Sequence, residues 1–286
     1  MDSPVEAGPV NPSAGSRFDN RYHLSDSGMR ISGKSLQQQQ LRAQDRLIVA
    51  LDVPTHDRAF ELVDLLDNVG FFKVGLELLL AGDLLRFLQQ LRDQKRQNAG
   101  VFVDLKLGGD IGNTIAALVR QLQALNVKFL TLVESVPLAI TLNSVKAARE
   151  ARGPASDPQL LIVPCLSTMD QEDLRESGIN TDLDSYIVQR ARVMINGGCD
   201  GLIVSGQAIK LCRSAFPAAV IVSPGIRPAW ASPNDHKRLA TPREAIGLGA
   251  DYLVVGRPIT RASDPRAAAQ LIIDEIDAAI PTVLRD

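Results

Sequence analysis

Val101-Phe102-Val103-Asp104-Leu105-Lys106 is an apolar run of strand length that ends on two opposite charges two positions apart. Side chains alternate faces along a strand, so positions two apart point the same way. Val101, Val103 and Leu105 therefore share one face, while Phe102, Asp104 and Lys106 share the other. Burying an unpaired charge is costly, so this second face is apolar at its start and needs ionic partners at its C-terminal end.

Seven further runs of the same kind surround it: Leu47–Asp52, Phe71–Val74, Phe129–Val133, Leu160–Cys165, Gly201–Ser205, Ala219–Ser223 and Asp251–Gly256. They are continuous rather than alternating, as parallel strands covered on both faces are. Segments with helical spacing lie between them, such as Ala59–Leu66, Leu84–Leu91, Ile115–Leu125 and Ile187–Ile195, and Ala267–Ile280 follows the last run. Eight strand–helix units predict a (β/α)8 TIM barrel over residues 46–286. An open doubly wound sheet is the alternative, but no glycine-rich dinucleotide fingerprint follows the first run.

A barrel places its chemistry at the C-terminal ends of the strands. The alternation that puts Asp104 and Lys106 inward does the same for Ala50 and Asp52, and for Phe71 and Lys73. Asp52, Lys73, Asp104 and Lys106 are thus predicted at one mouth, balanced in charge. A structural salt-bridge network would use the same residues, but four alternating charges at the catalytic face favour function. After the seventh and eighth runs come Ser223-Pro224-Gly225-Ile226-Arg227-Pro228 and Val255-Gly256-Arg257-Pro258-Ile259. These two loops form the usual phosphate site of the barrel. Gly225 and Gly256 permit close backbone approach, and Arg257 brings a planar fork that suits phosphate. Together they predict a phosphorylated small-molecule ligand.

Hydrophobic residues make up 45% and charged residues 22% of the 286, which excludes a wholly disordered or fibrous chain. The formal net charge of −2 draws the protein to neither nucleic acid nor an anionic membrane. No apolar run has membrane-spanning length, and the N-terminus lacks the apolar core of a secretory signal. Cys165, Cys199 and Cys212 show no metal-binding spacing and read as reduced thiols of a cytoplasmic protein. Residues 1–45, with their Gln37–Gln40 run and few aliphatic clusters, read as a flexible tail.

The chain resembles the orotidine 5'-phosphate decarboxylase family. The matching pieces run in order: Arg46-Leu-Ile-Val-Ala-Leu-Asp52-Val-Pro, Phe72-Lys73-Val-Gly-Leu-Glu, and Asp104-Leu-Lys106 with Asp110-Ile-Gly-Asn-Thr114. Leu166-Ser-Thr168-Met-Asp, Pro224-Gly-Ile-Arg227-Pro, Thr241-Pro-Arg-Glu-Ala-Ile and Gly-Ala-Asp251-Tyr-Leu-Val-Val-Gly256-Arg257-Pro-Ile-Thr follow. The resemblance implies decarboxylation of orotidine monophosphate to UMP without metal or cofactor. It implies that Lys106 protonates ring carbon C6, that Asp104 faces the substrate carboxylate and orients Lys106, and that Lys73 holds the charge network. Asp52 would bind the ribose, Thr168 the pyrimidine, Gly225, Arg227, Gly256 and Arg257 the phosphate end, and His236 the phosphate or the pyrimidine. Asp110, with Thr114 beside it, would enter the neighbour's site in a homodimer.

Three positions depart from the family pattern. Leu107-Gly108-Gly109 puts three residues between Lys106 and Asp110 where the family has two. Thr168 stands for a serine, and His236 for a glutamine. The extra glycine either bulges harmlessly or displaces the carboxylate, so a catalytically silent nucleotide-binding barrel stands as one alternative. A Mg2+-dependent decarboxylase or aldolase of sugar phosphates on the same barrel stands as another. Among the remaining residues, Glu134 is a further candidate for a site contact. Cys165 reads as packing or pocket wall rather than a nucleophile, Trp230 as loop packing ahead of a lid contact, His56 as surface, and His23 as part of the tail.

Overall fold

Eight parallel strands close into a ring in the computed structural model, which describes residues 41–95, 99–108, 112–134, 138–231 and 239–280. They are β1 (Leu47–Ala50), β2 (Phe71–Gly75), β3 (Gly100–Leu107), β4 (Val127–Val133), β5 (Gln159–Val163), β6 (Gly201–Ile203), β7 (Val220–Ser223) and β8 (Tyr252–Val255). Each pairs with the next in chain order, and β8 returns to β1 through Leu47↔Leu253, Ile48↔Val254 and Val49↔Val255. Helices such as His56–Leu65, Gly112–Ala124, Leu183–Gly197 and Pro265–Ala279 lie between and after the strands. The fold is the (β/α)8 barrel that the eight apolar runs predict. Several runs outlast their strands, so Asp52, Cys165, Ser205 and Gly256 stand just past strand ends, in the connections.

The two faces of the strands build two cores. Leu47, Val49, Phe72, Val74, Val101 and Val103 pack outward into the helices. Ile48, Ala50, Phe71, Phe102, Phe129, Leu161, Val163, Ile203, Val222 and Val254 fill the interior. Aromatic rings dominate one side of that interior, with Phe129 lying 5.2 Å from Phe71, 5.9 Å from Phe102 and 5.0 Å from Tyr252 between centroids. Burial pushes the Tyr252 hydroxyl up to about 12, so it stays protonated at neutral pH. The interior is tight at Gly201, where an added Cβ would fall 2.3 Å from the Val220 carbonyl oxygen. Only glycine fits there.

The N-terminal end of the ring is fastened by a device used twice. Asp200, just before β6, accepts from the backbone N–H of Leu160 at 2.9 Å and pairs with Arg152 of the helix Leu138–Arg152. Asp251, just before β8, accepts from the N–H of Ile221 at 2.8 Å and pairs with Arg213 at 2.6 Å. In each case one carboxylate joins a neighbouring strand to the helix that precedes that strand. The Asp251 carbonyl also accepts from Arg46 Nη1 at 3.2 Å, across the β1–β8 seam.

This last contact bears on the expected tail. Residues 1–40 lie outside the described residues. Ala43–Arg46 form a helical turn with Ala43 and Arg46 buried, so the packed region begins ahead of Arg46. The anchor is the Asp251 carbonyl, more than 200 positions away, which local composition does not reveal. Asp200 and Arg152 are both nine-tenths buried, so removing one partner strands the other's charge. We expect Asp200→Ala to lower unfolding stability by about 3–5 kcal/mol in urea titrations. Turnover per folded molecule should stay unchanged, because the pair lies at the end of the barrel away from the mouth.

Candidate active site

The aromatic layer carries a polar layer above it. Two residues beyond Phe71, Phe102 and Phe129 on the same faces stand Lys73, Asp104 and Thr131, and Asp52 lies two beyond Ala50. Lys73 Nζ is 2.9 Å from Asp52 Oδ1 and 3.4 Å from Asp104 Oδ2. Lys106 Nζ is 2.9 Å from both oxygens of Asp104. The four charges therefore form one alternating line, Asp52–Lys73–Asp104–Lys106. The Lys73 side chain is 10% exposed and that of Lys106 44%, so one ammonium is a buried strut and the other is presented to the cavity.

The backbone beneath this line is irregular. β3 pairs with β4 at Val103↔Leu130 and next at Leu107↔Leu132, so three residues of β3 lie opposite one of β4. Those three are Asp104, Leu105 and Lys106. Lys106 has φ +51°, a left-handed conformation that costs a side-chain-bearing residue about 1 kcal/mol or more. Burial works against a charged Asp104, but Lys73, Lys106 and the hydroxyl of Thr131 outweigh it and hold the carboxyl below its ordinary range.

A cavity of about 420 Å³ opens over the line, within the range of small-molecule sites. Asp52, Lys73, Asp104 and Lys106 form one wall, and Gly225, Arg227, Gly256 and Arg257 stand in another. Gly225 has φ +73°, which explains glycine in that turn. The turn is held by Arg227 N–H donating to the Ala240 carbonyl at 2.9 Å. At Gly256 an added Cβ would meet Ala50 at an ordinary 3.6 Å, so packing within the chain does not itself demand glycine there.

Some expected residues stand elsewhere. Thr168 is exposed on the turn after β5 and does not line the cavity, whereas its neighbour Ser167 does. Thr114 is exposed in the first turn of the helix Gly112–Ala124. Asp110 and His236 lie outside the described residues. Glu134 is not a cavity residue: it accepts from Arg190 Nε at 2.7 Å, a partner on the helix Leu183–Gly197. His56 is also more than a surface residue, since its Nε2 lies 3.1 Å from the Leu78 carbonyl and its ring packs on Phe87. Cys165 does stand in the cavity wall, and Trp230 is half exposed in the turn after Arg227. Glu77, Ser167, Ser205 and Arg261 are lining residues that strand alternation did not single out.

Residues 45–272 match the family described as orotidine 5'-phosphate decarboxylase / HUMPS. The chain belongs to that family. It is 44% identical over 237 residues to the orotidine 5'-phosphate decarboxylase of Rhodopseudomonas palustris strain HaA2, covering 82% of this chain and 96% of that one. It is 42% identical over 243 residues to the same-named protein of Xanthomonas euvesicatoria, covering 84% and 96%. The solved orotidine 5'-phosphate decarboxylase of Lactobacillus acidophilus superposes with a TM-score of 0.67 at 30% identity, over 82% of this chain and 99% of that one. In this family member the charged line and the two glycine–arginine turns thus share one mouth.

The depressed carboxyl of Asp104 has a consequence for acid stability. A group whose folded pKa lies below its unfolded value stabilises the fold above the unfolded value, and this contribution is lost as pH falls through the folded one. We expect Asp104→Asn to cost about 3 kcal/mol at pH 7, since it leaves two ammoniums with one carboxylate. The stability gap to wild type should narrow as pH drops below about 4. Denaturant titrations between pH 3 and pH 7 check this, and a gap independent of pH would contradict it.

Proposed function

We propose that the protein removes CO2 from orotidine 5'-monophosphate to give UMP, the closing step of de novo pyrimidine synthesis. The observation that carries this reading is the sharing of one cavity by the alternating charges of β1–β3 and the glycine–arginine turns after β7 and β8. A nucleotide monophosphate has the matching polarity, with an anionic tail for the turns and a carboxylated ring for the charged line.

Breaking the bond between ring carbon C6 and the carboxylate releases CO2 and leaves an electron pair on C6. The Lys106 ammonium, already in place, stabilises that developing charge and delivers a proton to C6. The lysine regains a proton from solvent. Asp104 orients Lys106 and faces the departing carboxylate, while Lys73 holds Asp104 and Asp52 in line. Asp52, half exposed on the cavity side, suits the ribose hydroxyls. Arg257 and Arg227, with the backbone at Gly225 and Gly256, suit the phosphate. In this reading no metal or organic cofactor takes part, which fits carboxylates already engaged by ammoniums at 2.9 Å. Activity should therefore survive excess EDTA.

The reading extends to a cytoplasmic homodimer in which Asp110 of each copy enters the other's cavity near Lys106.

Conversion of orotidine monophosphate, followed by its ultraviolet absorbance, tests the activity. We expect Lys106→Ala to lose turnover by about a thousandfold or more while still binding UMP. Substantial residual activity would remove Lys106 from the mechanism. Mixing Lys106→Ala with Asp110→Ala and allowing subunits to exchange should restore activity, because one site of each heterodimer has both residues intact. Exchange proven by mass spectrometry without recovery would rule out a composite site.

A further inference from the structure

Thr131 lies in the middle of β4, fully buried among apolar neighbours, at a position where valine would fill the same shape. Its hydroxyl is 2.8 Å from Asp104 Oδ1 and 3.5 Å from the Val103 carbonyl oxygen. A hydroxyl has one proton to donate, and the shorter contact to a carboxylate takes it. Thr131 is also the residue of β4 that falls inside the register gap, between Leu130 paired with Val103 and Leu132 paired with Leu107. Opposite it, Asp104-Leu105-Lys106 lack regular ladder partners on β4, although Asp104 still pairs with Gly75 of β2, and Lys106 sits in a left-handed conformation.

We propose that Thr131 is a positioning residue for the decarboxylation: its hydroxyl fixes the plane of the Asp104 carboxylate, and through it the Lys106 ammonium. The inference rests on the function proposed above. On the side of β4, where the ladder no longer dictates backbone geometry, side-chain contacts have to. Lys73 holds Asp104 by one oxygen at 3.4 Å, which leaves the carboxylate free to turn. The hydroxyl at 2.8 Å on the other oxygen supplies the second fixed point. Lys106 Nζ contacts both oxygens at 2.9 Å, so a rotation of the carboxylate displaces the ammonium directly. A proton donor displaced by even a fraction of an ångström loses alignment with C6.

The test compares Thr131→Val, Thr131→Ser and Thr131→Ala with wild type. Thr131→Val should lower kcat by about ten- to a hundredfold, the effect of losing a hydrogen bond to a charged group. KM should change by no more than about threefold, because the phosphate turns are untouched. The acidic limb of the kcat–pH profile should move to higher pH, since the lost donor favoured the charged carboxylate. Thr131→Ser should restore both kcat and the pH limb to near wild type. A purely structural role would reduce the yield of folded protein and leave kcat per folded site and the pH limb in place, and that result overturns the proposal. If Thr131→Val does not fold, equal kcat for the serine and alanine variants overturns it, whereas a deficit confined to alanine upholds it. Absence of orotidine monophosphate turnover by wild type overturns the function reading itself, and this inference with it.

Discussion

The ammonium of Lys73 lies between the carboxylates of Asp52 and Asp104 with little access to water, and the mouth of the barrel is organised around it. A buried ammonium is tolerated only when paired, and here its partners come from the neighbouring strands on either side. The requirement therefore fixes the ends of β1, β2 and β3 relative to one another. It also fixes Asp104, which then offers both its oxygens to Lys106. The half-exposed lysine at the cavity is held by a chain of contacts that starts at the buried one. Below the charges, Phe71, Phe102 and Phe129 fill the interior with apolar surface.

Alternation along the strands was enough to read this line from sequence, because a period of two places Asp52, Lys73, Asp104 and Lys106 without knowledge of their partners. The eight strands were equally legible as apolar runs, although the runs overshoot: Cys165 and Ser205 continue the apolar pattern past the last ladder bond. Thr131 escaped notice for the opposite reason. Threonine is a good strand former, and nothing local distinguishes a hydroxyl that serves a carboxylate from one that merely fits. The ion pair of Glu134 was not legible because its partner, Arg190, lies 56 positions away on a helix. The choice between Ser167 and Thr168 depends on the turn after β5, whose geometry carries no period.

The end of β3 keeps its two neighbours unequally. It pairs with β2 through Asp104, but with β4 only through Val103 and again at Leu107. Alternation alone turns Asp104 and Lys106 toward the same cavity. The gap in register and the left-handed Lys106 are thus a local departure on the β4 side, where charge pairing holds the side chains in place.

At the opposite end, the Asp200–Arg152 and Asp251–Arg213 clasps repeat one pattern in successive strand pairs, β5–β6 and β7–β8. Each clasp is complete within its own stretch of chain: a helix, the strand after it, and the aspartate that opens the next strand. Half of the ring is thus fastened in two quarter-units, each with its own clasp. Cutting one clasp therefore leaves the strand and helix held by the other still joined.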